Sequence, residues 1–331
     1  MKKIAVINKY NSLNQNQKMF YGDTALGTNL NSLMPRFKSA VEKLGCLVFS
    51  PENFFAASCA DLVIFIDPPG DDTRHFWDIT KLGIPTILIE AELPNWLSSE
   101  LIDFESDLTL TYRSREFTRN AEYFSPYCIE TDNRPDHLFS PVSARPEGFS
   151  LLATNHYRNF SGELYSYRRE FATFLTVEHP ELFSLGGLGW ERASLKSLGR
   201  TENKLEFLRR RQFNICVENC HTQPGYVTEK LLECIYAGAI PIYYSDGHDA
   251  GLIPDDLYIN AADFESPKMI FHYCMGLSER EREELVARGW QWLSSSDAVM
   301  FQVNHQAELL VAKVDQLLKT TLPDHKEMMR N

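Results

Sequence analysis

Glu229 and Lys230 stand side by side in the run Tyr226-Val227-Thr228-Glu229-Lys230, and a carboxylate beside an ammonium suits two neighbouring parts of one nucleotide. A ribose offers vicinal hydroxyls from which a carboxylate accepts, while a diphosphate needs compensating cations. Glu218 and Asn219 lie shortly upstream, and Tyr226 and Thr228 fall in the run itself. A solvated ion pair in the first turn of a surface helix has the same two-residue pattern and contributes little. The surrounding elements must therefore decide between the two.

Those elements form a strand-helix-strand crossover. Phe213 to Val217 is a short apolar run with Glu218-Asn219 at its end, Pro224-Gly225 turns the chain, and Thr228 is placed to cap a helix. Leu231, Leu232, Ile235 and Tyr236 return at helical spacing, Gly238 is a stop, and Ile240 to Tyr244 reads as the next strand. In open parallel sheets, ligands collect outside the C-terminal strand ends, where a helix N-terminus presents unpaired amides and partial positive charge. Glu218, Asn219, Tyr226, Thr228, Glu229 and Lys230 all fall at that end.

Val217-Glu218-Asn219, Tyr226-Val227-Thr228-Glu229-Lys230 and Gly238-Ala239-Ile240-Pro241 together resemble the donor-binding motif of the α1,3/α1,4-fucosyltransferases, the family 10 glycosyltransferases. Val217 stands where phenylalanine is usual, which changes packing and keeps the polar positions. Leu108 to Arg115, followed by Pro126-Tyr127 after a longer gap, is similar to a second motif of that family. Glu90-Ala91-Glu92-Leu93-Pro94-Asn95 is similar to its Glu-Ser-Pro signature. The resemblance covers most of residues 85–246.

The resemblance implies an α/β chain of GT-B architecture, two Rossmann-like domains with an interdomain cleft. It further implies an inverting, bacterial-type transferase that moves L-fucose from GDP-fucose to a glycan hydroxyl in an α1,3 or α1,4 linkage. The alternatives are a relative using another nucleotide deoxy-sugar and a non-catalytic glycan-binding protein on the same fold. An acceptor hydroxyl is too weak an acid to ionise at neutral pH, so a carboxylate must take its proton as the anomeric carbon gains oxocarbenium character. Glu90 and Glu92 are the candidates, on one face by strand alternation. Lys230, Arg192 after the glycine-rich turn 186–189, and Arg113 of the Tyr-Arg motif are expected to meet the diphosphate, with Arg113 alternatively bracing the base. Glu229 would accept from ribose hydroxyls, and Asn219 and Tyr226 would orient the sugar or ribose. The expected partners are a nucleotide sugar and an oligosaccharide or glycolipid, such as a lipopolysaccharide chain. No cofactor is obligate: GDP-fucose is a substrate, and a divalent metal is compatible with the reaction but not required.

The chain has 331 residues, 44% hydrophobic and 24% charged, with a net charge of -12. That composition fits an enzyme of two domains and excludes binding to nucleic acid or an anionic membrane through clustered cations. MKKIAVINKY reads as a first strand, not a secretory leader, which points to a cytoplasmic enzyme, peripheral to the inner membrane at most through its acceptor. The seven cysteines are scattered and read as reduced or structural thiols. Cys216, Cys220 and His221 lack a fourth metal partner at suitable spacing.

The expected domains are 1–140 on the acceptor side, a linker at 141–150, a nucleotide-sugar domain at 151–305 and a helical tail at 306–331. Within them, Lys3 to Asn8, Cys46 to Ser50, Asp61 to Asp67, Pro85 to Glu92 and Phe149 to Ala153 read as strands. Leu33 to Leu44, Tyr165 to Thr176, Glu279 to Trp292 and Ala307 to Leu318 read as helices, and Tyr10 to Gly27 as a loop. Asp67 to Asp72 reads as a turn in place of a metal-binding Asp-x-Asp motif. Arg168 and Arg169 are expected at the surface of their helix, and His156, His179 and His248 are assigned structural roles.

Overall fold

The computed structural model describes residues 1–21, 30–93, 104–113, 121–131 and 140–320, and the chain forms two compact units, Met1–Glu130 with Met300–Asn331, and Thr131–Val299. Pro94, Asn95, Ser114, Arg115 and Pro135, which carry parts of the sequence motifs, lie outside the described residues.

In the first unit the described strands are β1 (Lys3–Asn8), β2 (Leu47–Phe49), β3 (Leu62–Ile66), β4 (Thr86–Ile89), β5 (Leu108–Thr111) and β6 (Ala121–Tyr123). They pair in parallel in the order β2-β1-β3-β4-β5-β6. A parallel sheet is covered on both faces, which is why β3 and β4 are buried at every position. Alternation sends Ile4, Val6, Ile64, Ile66, Ile87 and Ile89 to one face and Ala5, Ile7, Val63, Phe65 and Leu88 to the other. The first face packs on Phe37 and Val41 of the helix Leu30–Lys43 and on Leu310 and Val314 of the helix Val303–Thr320.

That last helix is not a separate tail. Val303, Ala307, Leu310 and Val314 form one apolar stripe that completes the first unit's core, so the units divide at 130/131 and 299/300 instead of at 140/141 and 305/306. The span 141–150 is likewise part of the second unit: Val142–Ala144 forms a helical turn, Arg145 Nη1 donates to Gly238 O at 2.6 Å, and a strand begins at Phe149. Tyr10 to Tyr21 also differs from the expected loop, because Asn11–Asn14 and Gln15–Phe20 form short helical turns, interrupted at Asn16 and Gln17, whose φ of 54° and 58° is left-handed. Asn14 closes onto the backbone of Asn8, accepting from its amide at 2.7 Å and donating to its carbonyl at 2.8 Å, and Leu13, Met19 and Phe20 are buried.

In the second unit the described strands are β7 (Phe149–Leu152), β8 (Phe183–Gly186), β9 (Phe213–Ile215), β10 (Ile240–Tyr243) and β11 (Ile259–Asn260), parallel in the order β11-β10-β9-β7-β8. The helix Glu229–Ala237 crosses from β9 to β10, starting at Thr228, whose hydroxyl accepts from Lys230 N, and ending at Gly238 with φ 69°. Residues 231–237 of that helix are all buried, so its N-terminus is held rigidly at the C-terminal edge of the sheet. In each sheet the order reverses once, between β1 and β3 and between β7 and β9, and such switch points open a crevice at the C-terminal strand ends.

Candidate active-site clusters

At the switch point of the second unit, Glu218 follows β9 with no exposed surface and accepts from Thr228 N and from Thr228 Oγ1, both at 2.7 Å. Lys230 Nζ donates to Glu218 Oε2 at 3.2 Å and to Thr228 Oγ1 at 2.9 Å. It also lies 3.5 Å from Glu229 Oε1. Glu218, expected to touch a ligand, therefore works from behind: it is a buried anchor that fixes the helix cap and the lysine. Thr228 and Tyr226 are buried as well, which leaves Asn219, Glu229 and Lys230 as the partly exposed members of the predicted set.

Arg168 is buried beside this loop. It was expected at the surface, yet it is 3% exposed, and its Nε and Nη2 donate to Val217 O at 3.0 and 2.6 Å while Nη2 also reaches Asn219 Oδ1 at 2.9 Å. A guanidinium fork on this loop fixes the strand end that carries Glu218 and Asn219. The signal was in the sequence: Tyr165, Arg168, Ala172 and Leu175 share one helical stripe, so Arg168 falls among core positions. Arg169 binds His156 O at 2.7 Å and lies over the Tyr157 ring.

The charges around this helix start hold one another in defined states. Burial alone would push the Glu229 carboxyl up, but Lys230 and Lys204 outweigh it and bring it down to about 2. Burial pulls Lys230 down, and the greater pull of Glu218 and Glu229 leaves it above the usual lysine range. Burial also depresses Arg168. Arg168, Lys204 and Lys230 line a cavity of about 10 Å³ between the ends of β7 and β9, close to the size of one water. Arg192 is exposed in the turn Trp190–Ala193, and no ion pair or hydrogen bond joins it to this cluster among the described residues.

At the switch point of the first unit, residues after four neighbouring strands converge: Lys9 and Tyr10 after β1, Asp67 after β3, Glu90 and Glu92 after β4, and Arg113 after β5. Arg113 grips Glu90 with two bonds, Nε to Oε2 at 3.0 Å and Nη2 to Oε1, so this arginine braces a carboxylate of the candidate base pair. Glu92 Oε1 accepts from Tyr10 Oη at 3.0 Å and lies 3.7 Å from Lys9 Nζ. Asp67 is 3% exposed, adopts φ 57°, and accepts from Ala91 N at 2.8 Å and Glu92 N at 2.9 Å through one oxygen. Burial raises Asp67 to about 6, Lys9 opposing and Glu92 adding to the shift. The Asp-Pro-Pro-Gly run turns the chain as expected, and its first residue fixes the backbone between the two glutamates, a role the sequence reading missed.

Two parallel α/β units, each with a charged cluster at its switch point, are the building blocks of the GT-B fold. The whole chain superposes on a crystal structure of an alpha1,3-fucosyltransferase with GDP-fucose at a TM-score of 0.58 and 17% identity, covering 97% of this chain and 91% of that one. Residues 188–326 match the model of glycosyltransferase family 10 (fucosyltransferase), C-terminal part. An alpha-(1,3)-fucosyltransferase of Helicobacter pylori is 37% identical over 65 residues, 20% of this chain and 13% of the relative. The human 3-galactosyl-N-acetylglucosaminide 4-alpha-L-fucosyltransferase is 28% identical over 213 residues, 60% of this chain and 54% of the relative. The chain thus spans about half the length of the human relative and much less of the bacterial one.

Proposed function

We propose that the chain transfers L-fucose from GDP-fucose to a hydroxyl of a glycan acceptor, with inversion, to give an α1,3 or α1,4 linkage. The observation that carries this reading is the rigid helix start, where Glu229 and Lys230 are partly exposed above a fully buried Glu218 within the segment that matches family 10. In this reading Lys230 and the amides of the helix N-terminus meet the diphosphate, Glu229 accepts from the ribose, and Asn219, held by Arg168, orients the donor.

The acceptor oxygen attacks the anomeric carbon, and the bond from that carbon to the diphosphate oxygen breaks with its electron pair leaving on GDP. The acceptor proton passes to Glu90 or Glu92. Charge gathers on the leaving diphosphate in the transition state, where the preorganised lysine counts most. The acceptor class that fits is an N-acetylglucosamine-containing oligosaccharide or glycolipid, with a cytoplasmic setting as part of the same reading.

The test is direct. GDP at about a hundred times its Kd should stabilise the chain by roughly 2.7 kcal/mol and raise its Tm by several degrees, with UDP and TDP giving less. GDP-fucose should then be turned over, by hydrolysis alone and by transfer to the acceptor. Equal stabilisation by all three nucleotides would remove guanine as the donor base, and GDP binding with no turnover would leave a glycan-binding protein.

A further inference from the structure

We propose that Lys204 is a positioning residue for the donor. Pinned by the buried Glu233, it holds the Glu229 carboxylate in the orientation that accepts from the ribose hydroxyls, and so makes the site select ribonucleotides over deoxy forms. The proposal rests on the donor reading above and adds a residue to it.

Lys204 begins the short helix Lys204–Leu208, capped by Asn203, and reaches across to the helix Glu229–Ala237. Its Nζ forms an ion pair with Glu233 Oε2 and lies 3.8 Å from Glu229 Oε1. Glu229 and Glu233 are four residues apart, hence on one face of their helix, and Lys204 bridges them. The Glu233 side chain has no exposed surface, and a buried carboxylate is tolerated only with a close cation, so Lys204 is tied to one place. The Lys204 side chain is itself 22% exposed.

Lys230 cannot do this work alone. It also contacts Glu229 Oε1, at 3.5 Å, but it is bonded to Glu218 and Thr228, and a diphosphate would draw on the same ammonium. Lys204 then remains as the cation that keeps Glu229 charged and oriented. Both lysines address the same oxygen, Oε1, which fixes which side of the carboxylate meets a ligand.

The experiment compares GDP with 2′,3′-dideoxy-GDP by calorimetry on the whole chain. The unaltered protein should prefer GDP by about 10- to 100-fold, the worth of a hydrogen bond to a charged group. The double variant Lys204→Met with Glu233→Gln removes the bridge without leaving a buried charge. It should weaken GDP about tenfold and change dideoxy-GDP by less than about twofold, collapsing the preference. Lys204→Arg should keep most of it. If the double variant does not fold, Lys204→Gln with Glu233→Gln is read in the same way. An undiminished preference, or equal weakening of both nucleotides, overturns the role given to Lys204 while leaving the donor reading intact. Absence of GDP binding by the unaltered protein overturns both.

Discussion

Asp67 and Glu229 pose one physical problem, a carboxylate largely withdrawn from water at the C-terminal edge of a parallel sheet, and the two units solve it in opposite ways. Around Asp67, burial raises the carboxyl and Glu92 adds to it, while Lys9 opposes, and the result is about 6. Around Glu229, burial pushes in the same direction, but Lys230 and Lys204 overturn it and the result is about 2. The balance of cations against like charges decides whether a buried carboxylate can exchange a proton near neutrality or stays a fixed anion. In the proposed reaction, the first arrangement would suit the unit that takes the acceptor proton and the second the unit that grips the sugar nucleotide.

The sharpest way to break the comparison is to neutralise the carboxylates beside Asp67. Glu90→Gln and Glu92→Gln should differ, one of them lowering kcat by about 10²- to 10⁴-fold with GDP affinity kept. If both variants turn over normally, the first unit supplies no base. Next comes the opposite unit: Lys230→Ala should weaken GDP by about 1.5–3 kcal/mol in calorimetry. An unchanged Kd would leave Lys230 only as the counter-charge of the buried Glu218.

The smallest effect is one of pH. Asp67 titrates higher in the folded chain than its ordinary 3.8, so its contribution to stability is complete below about pH 4 and is lost as pH rises through 6. Asp67→Asn should therefore match the unaltered protein near pH 4 and exceed it at pH 7, by on the order of 1 kcal/mol in denaturant melts. Asparagine can still accept the two backbone bonds and tolerates the left-handed backbone. Glu229→Gln has the reverse sign, because Glu229 titrates lower when folded. Its cost should be present above about pH 4.5 and should fade as pH falls through 2. Parallel pH curves for the two variants would end the contrast.

Much of this was legible in the residues. Lys3–Asn8 is the strand expected of it, and Thr228 and Gly238 bound the donor helix because a hydroxyl can cap and a glycine can take φ 69°. What escaped was charge placed where periodicity alone says apolar. Arg168 lies in a core stripe, and Glu233 lies in a helix turn with every neighbour buried, yet each reads locally as an ordinary helical charge. Their partners, Val217 O for one and Lys204 for the other, are 49 and 29 residues away, so no window of a few turns contains both ends. Asp67 escaped for a related reason: a turn-forming run explains it fully until the amides of Ala91 and Glu92 are seen to converge on it.

The return of Val303–Thr320 to the first sheet means that the chain opens one unit, completes another, and only then closes the first. During synthesis, Ile4, Val6 and Ile64 must wait for Leu310 and Val314 to leave the ribosome, so the second unit can mature while the first still shows one greasy flank. Ending translation near 300 would strand that flank in water. Chaperone capture or aggregation, more than loss of the nucleotide grip, would be the immediate result.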